Sequence, residues 1–395
     1  MSRTRFFIDA SPLAAPRASG VGHSVQGIVA ALTADTDFMA RYQPVLVAPA
    51  RGLKYVRAHH FPGVSYRAMP LPARVWNRLP GTPLMPPMDV LLGRGVYFLT
   101  NFRSWPLAAS PSMVLIHDVA FRLFPETLTH RHRAFLERSV PRWMAQASLV
   151  ITPSESARRD LITHFQVAPA RIKVIPHGID PGVFHPRPAN EIAAARARYG
   201  LPESYILFEG NLEPRKNIAR LIRSYTALSK KLLNQYALVL IGGASWLDHE
   251  LDYELARGRE LGAKIVRPNA YVTDDDLPAI FTGARVLAWP TLHEGFGMPL
   301  LEAMATGTPV LTARNSSLPE VAGDAALYVD AESEPDITQG LERLLTDEAM
   351  RARLIAAGHE RVARFAWSNA AAKLTALADQ LTAGHHRATG RVATL

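Results

Sequence analysis

The chain has 395 residues, 48% of them hydrophobic and 20% charged, with a formal net charge of +9 and no cysteine. That composition excludes a disordered chain, a disulfide scaffold, thiolate metal sites and a cysteine nucleophile. The length exceeds the roughly 250–300 residues that one core serves, so two domains are expected.

The charge is uneven. Residues 1–187 carry 22 Lys and Arg against 10 Asp and Glu, a net of +12, and the remainder nets −3. A basic half-chain suits nucleic acid, an anionic membrane face or phosphorylated ligands. No helix-turn-helix, zinc-finger or stacking pattern accompanies it, so nucleic acid is set aside as a partner.

In chain order, "RFFIDA" predicts a first strand, because Asp9 interrupts the apolar run too early for a signal peptide. "APRASGVGHSVQGIVAAL" reads as a loop with Gly20 and Gly22 before a helix. The third glycine of a dinucleotide fingerprint is replaced by Val25, so the stretch is equally an ordinary glycine-bearing turn. "PVLVAP", "MVLIHD", "SLVITPS" and "RIKVIPHG" continue a strand–helix alternation. The second of these delivers His117 and Asp118 at a strand end, where the imidazole suits a sugar hydroxyl or a proton and the neighbouring acid would raise its pKa. A purely structural histidine fits the same position.

A Pro-rich joint near Phe184 to Pro188 separates residues 1–185 from 186–365, where the pattern restarts with "YILFEGN", "ALVLIGG", "AKIVRP", "VLAWPT", "TPVLTA" and "ALYVD". "FAWSNAAAKLTALADQLTA" predicts a final helix and "GHHRATGRVATL" a frayed end. The fold class is α/β, with two doubly wound parallel sheets facing a central cleft at the strands' carboxyl ends. Apolar runs such as "YALVLI" are far shorter than the roughly 20 residues of a membrane span, which predicts a cytoplasmic protein.

In "YILFEGNLEPRKNIARLI" the segment Glu209 to Asn217 forms a loop that sets Arg215 and Lys216 at a helix entrance. Cations there oppose the helix dipole, so an anionic partner such as a diphosphate is expected, the alternative being a solvated basic helix start. "VLAWPTLHEGFGMPLLEAMATG" gives a strand, a loop carrying Glu294 and a helix carrying Glu302. Loop amides and the helix N-terminus suit an anion, and an ionised Glu302 can accept two adjacent hydroxyls, as a ribose diol offers. The simpler role for Glu302 is to complement the helix dipole. "YVTDDDLPAIF" reads as a capped helix start rather than a metal motif, and the serines of "RNSSLPEVAGDAALYVD" border the expected nucleotide site.

Together, "SGVGHS", "LIHDVA", "ITPSESARRDLI", "RIKVIPHGID", "GNLEPRKN", "HEGFGMPLLEAMATGTPV" and "NSSLPEVAGDAALYVD" resemble the family 4 (group 1) retaining glycosyltransferases of GT-B fold, from about residue 6 to about 375. The wording is most similar to the mannosyltransferase and rhamnosyltransferase branch that builds bacterial polysaccharides. The resemblance implies that Glu302 holds the donor ribose, Glu294 contacts the transferred hexose, and Gly295, Phe296, Gly297 and Met298 line the sugar and diphosphate. It implies further that Arg215 and Lys216 bind the diphosphate, Gly20 and Gly22 close over the donor, and His117 faces the sugar. At Asn211 the chain departs from many relatives, which carry arginine there.

The resemblance also returns the last helix, residues 366–395, to the first domain and requires no metal or other cofactor. GDP-mannose is the expected donor, ahead of dTDP-rhamnose and UDP-hexoses, and a glycan or polyprenyl-diphosphate-linked oligosaccharide the expected acceptor. The basic segment 67–87, with Arg67, Arg74, Trp76 and Arg78, is the candidate for peripheral contact with an anionic inner membrane. A sugar-nucleotide epimerase and a non-catalytic scaffold of a polysaccharide assembly are the rival readings.

Overall fold

In this computed structural model the described residues are 3–17, 19–70, 86–102, 105–243, 249–268 and 270–390. Arg74, Trp76 and Arg78 of the membrane-docking expectation lie outside them. Among the described residues no helix is long and apolar enough to cross a membrane.

The chain divides into two compact units, one of residues 1–123, 129–178 and 366–395, the other of 124–128 and 179–365. The passage from the first to the second falls between Gly178 and Ile179, earlier than the expected boundary at 185. Proline content marked the joint in the sequence, whereas the contacts place the Pro-rich stretch with the second unit.

The first unit holds a seven-stranded parallel sheet in the order β3-β2-β1-β4-β5-β6-β7. Its strands are β1 Thr4–Asp9, β2 Tyr42–Ala48, β3 Ser65–Ala68, β4 Val96–Leu99, β5 Ser112–Leu115, β6 Leu149–Thr152 and β7 Ile172–Val174. In β1 Phe6, Phe7 and Ile8 are all buried, the continuous apolar run of a strand covered on both faces. The sequence reading overlooked β3 and β4. Each is four residues long, and β3 ("SYRA") is partly exposed with no apolar run to mark it.

The last helix, Trp367–Gly390, belongs to this unit. Ala370, Ala371, Leu374, Leu377 and Ala378 are buried, spaced as one face of a helix, and join the core around β1. Its first residue, Trp367, fills a notch against Gly27 and Gly178, where an added Cβ would stand 2.2 Å and 2.5 Å from the nearest Trp367 atoms. The helix continues to Gly390, through part of the stretch expected to fray. No proline interrupts it there.

The second unit holds a six-stranded parallel sheet in the order β10-β9-β8-β11-β12-β13. The strands are β8 Tyr205–Glu209, β9 Ala237–Ile241, β10 Ile265–Val266, β11 Val286–Trp289, β12 Val310–Ala313 and β13 Ala326–Val329. From β8 the chain winds outward to β9 and β10, then returns to β11 and winds the other way. The reversal between β8 and β11 opens the loops that leave their carboxyl ends, the position at which open α/β sheets bind ligands.

Candidate active site

The loop after β8 turns tightly. Pro214–Lys216 form a single 3-10 turn, and Asn217 at φ +61° separates it from the helix Ile218–Thr226. Arg215 and Lys216 therefore lie at the carboxyl end of a short turn and not in the first turn of the α-helix, a correction to the dipole argument from sequence. The break is enforced by Asn217, which tolerates a left-handed conformation and whose Nδ2 donates to the carbonyls of Pro290 (2.8 Å) and Ala331 (2.7 Å). This side chain ties the cation-bearing turn to the end of β11.

The loop after β11 brings Glu294 back over that turn. Lys216 Nζ and Glu294 Oε1 form a buried ion pair, and Arg215 Nη1 stands 3.5 Å from Glu294 Oε2, so each carboxylate oxygen faces one cation. Lys216 and Glu294 are only 9% and 7% exposed, which keeps water from screening the pair. Arg215 Nη1 also donates to the His293 carbonyl at 2.5 Å, and Lys216 Nζ lies 4.8 Å over the Trp289 ring, itself stacked on Phe208. Glu294 is thus the anionic partner that the position of the two cations called for. Arg215 Nη2 also stands 3.5 Å from the more exposed carboxylate of Glu213, so the two cations face two carboxylates, of which only Glu294 is buried.

The segment Asn315–Ser317, after β12, holds the Glu294 loop in shape. Asn315 Nδ2 donates to Thr291 O (3.0 Å), Ser316 Oγ accepts from Glu294 N (3.0 Å), and Ser317 Oγ lies 2.9 Å from the carbonyls of both Glu294 and Phe296. The hydroxyls of these serines, expected to border the nucleotide, are engaged by the backbone that presents Glu294.

Gly297 has φ +99°, a conformation that a side chain would strain, and it caps the helix Met298–Ala305. The Phe296 ring is buried and meets Phe365 edge-on at 5.9 Å, which leaves the backbone of this residue, not its ring, for lining a ligand. An aromatic ring gains more from that core contact than from a polar cleft. Gly295 is buried in the same loop, and Met298 packs at the edge of the core.

Glu302 lies one turn into the helix and is 5% exposed. Burial, followed by the nearby carboxylates Glu209 and Asp274, holds its carboxyl well above the usual range. Asp276, two residues beyond Asp274, accepts from Arg198 (2.6 Å) and Tyr199 (2.7 Å). Asn211 is exposed just after β8, with its Nδ2 3.4 Å from Glu213 Oε1.

The remaining candidates belong to the first unit. Gly20 and Gly22 are not in a loop: they occupy the first turn of the helix Gly20–Ala34, because Ser19 caps it, its Oγ accepting from Gly22 N at 3.2 Å. His117 is half-buried, with Nε2 3.0 Å from Thr100 O. Burial lowers its pKa and outweighs the raising effect of Thr100 O and Asp118, the reverse of the shift expected from the neighbouring acid.

A residue given no role from sequence, His177, lies 5.5 Å from the His117 ring and 5.9 Å from Trp367, with Nδ1 3.1 Å from Ser24 Oγ. Burial and His117 hold it well below the ordinary imidazole value. "IPHGID" was the signal available for it, and Asn217, Ser317 and Trp289 were likewise within motifs already noticed.

Two Rossmann-like units, the second gathering two cations and two buried glutamates at its topological switch, define the GT-B class of sugar-nucleotide enzymes. The Anabaena protein HepE, solved with UDP and glucose, matches 96% of this chain and 100% of its own with a TM-score of 0.72 at 16% identity, a likeness of fold.

The model of glycosyltransferase family 4 matches residues 18–183, and that of glycosyl transferases group 1 matches residues 192–361. O-antigen chain mannosyltransferase B of Escherichia coli is 32% identical over 275 residues, 69% of this chain and 71% of the relative. D-inositol 3-phosphate glycosyltransferase of Stackebrandtia nassauensis is 30% identical over 361 residues, 83% and 78% of the two chains. The chain belongs to glycosyltransferase family 4, the group 1 glycosyltransferases, and is a glycosyltransferase.

Proposed function

We propose that the chain transfers mannose from GDP-mannose, with retention, to a glycan or polyprenyl-diphosphate-linked oligosaccharide in bacterial surface polysaccharide synthesis. The observation that carries the reading is the pairing of two cations, Arg215 and Lys216, with the buried Glu294 in the loops after β8 and β11, ahead of the helix that carries Glu302. Arg215 and Lys216 bind the donor diphosphate and neutralise the departing nucleoside diphosphate, so no metal is needed for that step. Glu302 accepts the ribose hydroxyls, Glu294 the hexose hydroxyls, and the backbone of Gly295 to Met298 lines the sugar. Gly20, Gly22 and His117 of the first unit carry the donor-sugar roles that the family resemblance gives them.

Mannose is favoured by the name and the 32% identity of the E. coli relative. A UDP-hexose donor is the second reading, favoured by the UDP and glucose bound to HepE; dTDP-rhamnose is a third. A thermal-shift panel of GDP, UDP, dTDP and ADP tests the donor class. A ligand at 100 times its Kd adds about 2.7 kcal/mol of stability. Selective stabilisation by GDP, followed by acceptor-dependent consumption of GDP-mannose, is the expected result. Sugar conversion without acceptor would mean an epimerase, and no nucleotide response would mean a scaffold.

A further inference from the structure

We infer that Glu294 is a displaceable counter-ion: in the free enzyme it neutralises Arg215 and Lys216, and a donor diphosphate must take those cations before Glu294 can hold the sugar. The inference rests on the diphosphate reading of Arg215 and Lys216 and deepens it. Both carboxylate oxygens of Glu294 are engaged by the two cations, one on each. An oxygen committed to Lys216 is not available to accept a sugar hydroxyl at full strength. The cations, in turn, are offset by a buried carboxylate in the ground state, and Arg215 also faces Glu213 at 3.5 Å, so the positive field meeting an arriving phosphate is far below that of two free charges.

A diphosphate, with two phosphoryl groups and a negative charge on each, can replace Glu294 at both cations. It leaves the carboxylate next to the position where the sugar is attached. A nucleoside monophosphate has a single phosphoryl group to offer. The exchange therefore makes sugar capture conditional on the diphosphate and discriminates against monophosphates.

The surrounding structure allows a local exchange. Lys216 keeps its contact with the Trp289 ring and Arg215 its bond to the His293 carbonyl, neither of which depends on the Glu294 carboxylate. The loop that carries Glu294 is held through its backbone by Ser316 and Ser317, so the side chain can turn while the main chain stays.

The test is isothermal titration of GDP, UDP and GMP into the wild type, Glu294→Gln and Glu294→Asp, with unfolding curves of the free proteins alongside. Removing the competing charge should tighten the diphosphate that the wild type prefers by about tenfold or more in Glu294→Gln. The gain should be smaller for GMP and absent in Glu294→Asp, although sugar transfer falls in both variants. The free Glu294→Gln protein should melt earlier than wild type, and saturating diphosphate should close most of that gap.

Diphosphate affinity unchanged or weaker in a folded Glu294→Gln protein would overturn the exchange while leaving diphosphate binding itself intact. Absence of nucleotide binding by the wild type would instead remove the reading on which the exchange rests. If Glu294→Gln is unfolded without ligand, refolding by diphosphate and not by GMP supports the exchange, and refolding by neither overturns it.

Discussion

Asn217 and Pro290 are joined by a buried hydrogen bond of 2.8 Å from the amide of one to the carbonyl of the other, linking the turn after β8 to the loop after β11. The same amide reaches Ala331 O at 2.7 Å, and the residue holds a left-handed backbone at φ +61°. This side chain, with the bond from Leu292 N to Arg215 O at 3.0 Å, sets the positions of Lys216 and Glu294 relative to each other.

Asn217→Ala should therefore cost about 2–4 kcal/mol, from the lost bonds to Pro290 O and to Ala331 O, which keeps Arg220 as a donor, and from a backbone conformation that alanine resists. Asn217→Gly relieves the backbone part and should recover about 1 kcal/mol. Urea unfolding of the two variants measures both terms. Equal stability of the alanine and glycine variants would show that the turn relaxes without strain. Diphosphate binding should weaken in both.

Glu302 binds its proton more tightly folded than unfolded, through burial and the carboxylates Glu209 and Asp274. Its contribution is fully present below the unfolded value near 4.5 and is lost as pH rises through the folded value. Glu302→Gln keeps the shape and cannot ionise. It should unfold later than wild type at pH 8, with the difference shrinking towards pH 4, while its affinity for nucleotide falls. Denaturant midpoints across that range decide the matter, and a variant less stable at every pH would contradict the assignment.

Two histidines of the first unit act in the opposite sense. His117 and His177 have folded pKa values below the ordinary 6.5, so their contribution is present above that value and is lost as pH falls below it. His177→Gln, which keeps a partner for Ser24, should flatten the loss of stability between pH 7.5 and 5. Histidine NMR titration supplies an independent check: the His177 resonance should not move over the range in which exposed imidazoles titrate.

How far the sequence reaches is visible in particular elements. Strands with continuous apolar runs, such as "YILFE" and "ALVLI", announce themselves, because a strand buried on both faces has no polar positions to disguise it. "VYFL" is a fully buried run of the same kind, whereas "SYRA" carries no apolar run and takes its place from pairing with β2. The helix caps show the same limit: Gly20 and Gly22 suggest a loop until Ser19 is seen to accept from Gly22 N.

By itself the sequence determined that the chain makes two parallel α/β sheets, that Glu294 and Glu302 flank a glycine turn entering a helix, and that two cations follow an earlier strand. These are properties of order and spacing, which a linear chain carries in full. Only the tertiary structure decided that Lys216 and Arg215 face Glu294 in one buried cluster, that Glu302 shares its surroundings with Glu209 and Asp274, and that His177 stands against His117. Each of those pairs joins residues from separate loops, and its energy depends on a distance and a loss of solvent that exist only once the strands carrying them lie side by side.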